Sequence, residues 1–187
     1  MSFQSPRAWP GGRLLIVLAL GVGIVGSPLA CEADASSRTV KTFQEYIALN
    51  AKFVRSVTQE QSLPRESYTE LRNAVEAFHE TQILPALEDA TQLVCERGDR
   101  EVLSWLMRLV VAASNSASEA HAWTLGEMFL CRSELVAELH AQFPAAEQEF
   151  LTAQLKWGIR NVMYGRPEEE IQRQLQKVDA FKPGQTE

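Results

Sequence analysis

Three histidines, three cysteines and a surplus of carboxylates are the side chains of this sequence best suited to chemistry. The most telling spacing is Glu76-Ala-Phe-His79. On a helix, Glu-x-x-His is half of a ligand set for two iron ions, which needs a second such pair and two further glutamates facing the bundle interior. No second pair occurs. At about 100° per residue, Glu76 also points roughly 120° from the stripe of Leu71, Val75 and Phe78, toward water, so the motif reads as a solvated face. Glu119-Ala-His121 offers two candidates two residues apart, and such residues do not face one another on a helix. His140 flanks Leu139 and reads as a half-exposed packing residue. A zinc site would have to draw on dispersed residues. Neither a Gly-rich phosphate loop nor a Gly-x-Ser-x-Gly elbow is present. The expectation is a protein without catalytic residues, metal or cofactor, hence not an enzyme.

Residues suited to binding are easier to find. Trp157, Arg160 and Tyr164 lie on consecutive turns of one helical stretch and are types enriched at interface hot spots. Ala112 to Ser118 is a run of small residues ahead of Trp123. It reads as a turn with a cap, Ser116 to Glu119 having capping-box spacing. The sharper alternative is a pocket floored by small side chains and walled by Trp123.

The cysteines depend on what happens to the leader. Residues 1–30 carry Arg7 and Arg13, no acid, and an uncharged apolar run from Leu14 to Val25, the layout of a secretory signal peptide. That run falls short of the ~20 residues a membrane-spanning helix needs. Ala33-Asp34-Ala35 offers one cut, before Ser36. Leu29-Ala30-Cys31 offers another and resembles the lipobox of bacterial lipoproteins, with Pro28 where the pattern wants an aliphatic residue. The resemblance implies lipidation of Cys31, a membrane anchor through that lipid alone, and residues 31–38 as a flexible tether or processed segment. Either cut leaves Cys95 and Cys131 as an even pair, and an oxidising periplasm would favour a disulfide between them.

Without residues 1–30 the chain has sixteen basic against twenty-four acidic side chains, a net charge of −8. With no concentrated basic face, nucleic acid is an unpromising partner.

These residues must be positioned by helices. From Thr39 apolar residues recur at spacings of three and four and almost nowhere alternate. Val40, Phe43, Ile47, Ala51, Val54 and Val57 form the first stripe. Pro64 opens a second helix through Tyr68, Leu71, Val75 and Phe78. A third runs from about Ile83 to Arg97 and stops at Gly98. Asp99 caps a segment, Val102 to Ala113, that is apolar nearly all round and so belongs in the middle. Helices follow through Trp123 to Phe129, through Leu135 to Phe143, and after Pro144 through Leu151, Leu155, Ile159 and Val162. Pro167 and three glutamates open the last, through Ile171, Leu175, Val178 and Phe181.

Cys95 and Cys131 then fall near the ends of the third and fifth helices, at one level of an up-and-down arrangement. Trp123-Thr-Leu125-Gly126 resembles the opening of a tetratricopeptide repeat, with Leu and Gly each one place early, and no second copy follows. The expected architecture is all-α: one helical domain over residues 39–181, a compact multi-helix bundle of about seven or eight antiparallel helices, with a short helical-repeat stack as the alternative and a disordered tail at 182–187. The expected role is that of a non-enzymatic interaction protein of the bacterial envelope, an adaptor or immunity-type binder with a protein partner. A small-ligand-binding periplasmic protein is the alternative, and a metal-dependent enzyme around His79 comes third.

Overall fold

Stripes at helical spacing close on one another in the computed structural model, which describes residues 28–58, 64–114 and 118–181. The elements are α1 (Pro28–Thr58), α2 (Arg65–Phe78), a π-helical turn (His79–Ile83), α3 (Leu84–Arg97), α4 (Arg100–Ala112), α5 (Ala120–His140), α6 (Ala145–Val162) and α7 (Glu168–Asp179). Of the described residues 87% are helical and none is in a strand. Because α2, the π turn and α3 run on without a break, six rods pack together among the described residues rather than seven or eight. No helix among the described residues is long and apolar enough to cross a membrane. Most of the leader, the side chain of Cys31, the cap at Ser116 and the tail from Lys182 lie outside the described residues.

α4 is the centre, as its all-round apolar sequence requires. Val102, Leu103, Leu106, Met107, Leu109 and Val110 are buried, and α1, α3, α5 and α6 pack around them. Asp99 starts this helix by accepting from the N–H groups of Glu101 and Val102, each at 3.1 Å. Gly98, at φ 69°, closes α3 in the left-handed conformation open to glycine. α7 covers the far side with Ile171, Leu175 and Val178, the stripe read from sequence.

Three elements depart from expectation. In α1 the buried line runs through Val40, Phe43, Tyr46 and Asn50, while Ile47 and Ala51 are only half-buried and Val57 is 56% exposed. A polar residue is responsible: the Asn50 amide donates to the carbonyl of Ala112 at 2.7 Å and so satisfies the C-terminal end of α4. Helical backbone also runs through residues 31–38, the stretch read as a tether. A cut before Cys31 or Ser36 would trim this helix only from its first turns.

The second departure is the π turn. In a regular helix Pro85 would meet the carbonyl of Thr81, to which it has no N–H to donate and against which its ring crowds. The chain widens into a π turn immediately before, with the N–H of Leu84 bonding back to His79. Third, the two helices read on either side of residue 132 meet without a loop, the backbone leaving the helical region only at Arg132 (φ −141°, ψ 49°). There the guanidinium leaves the helix surface to donate to the carbonyls of Cys95 at 3.0 Å and Glu96 at 3.1 Å, capping α3.

The disulfide sits beside that bend. Cys95 and Cys131 are joined, with Cα atoms 5.5 Å apart. Cys131 stands immediately before the kink, at the end of the first helical segment of α5 as its sequence position implies, and it is exposed. α5 and α6 cross where Gly126 meets Gly158: a Cβ on Gly158 would stand 2.0 Å from the carbonyl oxygen of Ala122, and one on Gly126 2.5 Å from the backbone of Gly158. Gly126 thus serves backbone contact between two helices.

Candidate functional site

Among the described residues, three buried side-chain atoms lack a hydrogen-bond partner, and all are histidine nitrogens: Nε2 of His79, Nε2 of His121 and Nδ1 of His140. Such orphans are uncommon and call for a cause. His140 stands apart. It is 3% exposed, not half-exposed, because its Nε2 reaches the carbonyl of Gln148 at 2.9 Å and the hydroxyl of Thr152 at 3.0 Å while Phe181 covers the ring. A carbonyl only accepts, so Nε2 is the donor in that bond.

The other two meet. The rings of His79 and His121, 42 positions apart in sequence, have centroids 5.1 Å apart at an interplanar angle of 76°. Tyr46 from α1 lies 5.9 Å from one and 6.0 Å from the other, 1% exposed itself. The π turn presents His79, the first turn of α5 presents His121, and α1 supplies the wall between them.

His121 is 2% exposed. Burial above all, with the neighbouring His79 adding to it, holds its pKa down from the ordinary 6.5 to about 4, against a hydrogen bond to the backbone of Ser118 that acts the other way. Its Nε2 is one of the orphaned atoms, and burial keeps the ring neutral at pH 7. His79 is likewise lowered by burial, opposed by Glu80.

Two clefts open from this pair, and Ser118 lines both. One, of about 350 Å³, lies between α1 and α2, with His79, Tyr46, Phe53 and Tyr68 on its walls and Glu76 and Glu80 at its edge. The other, of about 440 Å³, lies between the end of α4, the start of α5 and α6, with His121, Ala113, Ser114, Phe150 and Trp157 around it. A further cleft of about 430 Å³ beside Trp105 and Phe143 has no histidine and no orphaned atom on its walls.

The residues singled out in sequence are dispersed. Glu76 faces water, as its angle implies, and holds Arg72 at 2.7 Å. His79, its motif partner, turns inward. The small-residue turn does line a cleft, but the tryptophan on its wall is Trp157, whereas Trp123 is 45% exposed and off that wall. Arg160 is exposed, 3.9 Å from Glu168, and Tyr164 is 91% exposed beyond the end of α6. Tyr46 and the pairing of His79 with His121 were missed. A signal existed for each histidine: His79 stands four residues after Val75, and His121 stands four before Leu125 and seven before Met128, all on buried stripes. Among the described residues no group of three or more His, Cys, Asp or Glu is placed to hold a metal ion. In comparisons with protein-family models, curated proteins and solved structures, nothing matches this chain.

Proposed function

We propose that this is an exported helical binding protein for a small molecule seated at the His79–His121 pair. The observation that carries the reading is the pair of buried, unpartnered Nε2 atoms between two clefts. A buried polar atom without a partner costs about 1–3 kcal/mol, and a ligand that donates to it recovers that cost on binding. The aromatic walls of Tyr46, Phe53 and Trp157 suit a ligand with an apolar or planar body. The leader-like first thirty residues and the paired cysteines support a place outside the cytosol. No reaction is assigned to the site. Thermal-shift screening against a metabolite set is the test: a hit on the wild type should disappear in His79→Ala, and a hit that persists there would refute the site.

A protein partner, the reading favoured by sequence, is supported by a different surface. Trp123 and Leu130 are 45% and 38% exposed on α5. Seven residues apart, they lie within about 20° of each other around the helix. Envelope pull-down with the wild type and with Trp123→Glu tests it, the expected result being a stoichiometric partner lost in the variant.

A further inference from the structure

We propose that His79 and His121 form a two-imidazole site for a transition-metal ion of the zinc or copper class, completed by a ligand entering through the clefts. The inference rests on the same pair as the ligand reading and specifies its chemistry. Metals of this class bind the unprotonated nitrogen of a neutral imidazole. Each ring offers a buried Nε2 that no group of the protein engages, and His121 as a whole is only 2% exposed.

Spacing agrees. Two imidazoles bound at about 2.0–2.1 Å to a tetrahedral ion hold their ring centres about 5 Å apart. The separation here is 5.1 Å, with the rings steeply inclined. Calcium and magnesium ask instead for several oxygen ligands, and no carboxylate joins the pair into a group of three among the described residues. Two protein ligands leave at least two positions of a four-coordinate ion open. His79 lines one cleft and His121 the other, so the ion would serve as the anchor through which an exogenous donor, such as a carboxylate, amine or thiolate, is held.

The experiment uses protein produced without an affinity tag, stripped with a chelator and titrated with Co²⁺ or Zn²⁺ alone. The expected result is one equivalent of Zn²⁺ retained on dialysis, visible ligand-field absorption with Co²⁺, and imidazole NMR signals of His79 and His121, but not His140, displaced by Zn²⁺. Both metal readouts should be lost in His79→Ala and in His79→Gln, changes at a half-buried position whose folding far-ultraviolet circular dichroism verifies. Glu88→Gln should bind as the wild type does, because Glu88 is exposed and lines neither cleft. Wild-type protein that dialyses free of metal, or metal retained by folded His79→Ala, would overturn the inference. A metabolite that binds stripped protein through His79 while neither ion does so would overturn the metal and leave the ligand site standing.

Discussion

Acid should weaken this fold most through His121. His121 has a folded-state pKa of about 4 against 6.5 for an unburied ring, so protonation disfavours the folded protein. Above pH 6.5 both states hold the ring neutral and its contribution is fully present. Between 6.5 and about 4 only the unfolded chain takes up the proton, so stability falls as pH falls through that window and levels off below it. The gap corresponds to about 3 kcal/mol in all, of which roughly 2–3 kcal/mol is lost between pH 7 and 4.5. His79, also lowered by burial, acts in the same direction. Glu138, lowered by its hydrogen bond to Arg100, also contributes stability that is lost as pH falls, and it does so equally in wild type and variant. Urea unfolding at pH 7 and at pH 4.5, on the wild type and on His121→Gln, isolates the effect. The wild type should lose roughly 2–3 kcal/mol more than the variant on acidification, whatever the variant's stability at pH 7. Equal losses in the two proteins would refute a buried, neutral His121.

Gly158→Ala should destabilise at or beyond the upper end of the 1–3 kcal/mol usual for overpacking, because its Cβ would stand 2.0 Å from a backbone oxygen that cannot yield. Gly98→Ala, with no atom within 4 Å and only the left-handed backbone to resist it, should cost about 1–2 kcal/mol, and thermal unfolding ranks the two. Reducing the Cys95–Cys131 bridge, which closes a separation of 36 residues, should remove about 4 kcal/mol by the chain-entropy relation, read as a lower urea midpoint with reductant. Any small molecule found to bind should bind more weakly to Trp157→Ala and unchanged to Trp123→Ala, by calorimetry, since only the former lines the cleft.

The helical frame was largely legible because its signals are local. Asp99, Gly98 and the stripe of Ile171, Leu175 and Val178 act within a turn or two of where they stand, and each does what its spacing implies. Where a partner lay elsewhere in the chain, periodicity misled. Asn50 is buried by a carbonyl 62 positions away, so the true stripe of α1 was hidden behind a polar residue. The bend at Arg132 answers to the end of α3. Val75, His79, Ile83 and Leu87 follow at three successive spacings of four, which a regular helix would carry about 120° around its axis. That drift, with Pro85 just beyond, was the trace of the π turn. The site was less legible still. His79 was weighed with Glu76 and His121 with Glu119, whereas the fold pairs these two histidines with each other and leaves both acids exposed.

Imidazole nitrogen NMR of the metal-free protein at pH 6 tests the central claim most directly. The account predicts a neutral His121 with ring-proton contacts to His79. A charged His121, or no contact between the two rings, would contradict it.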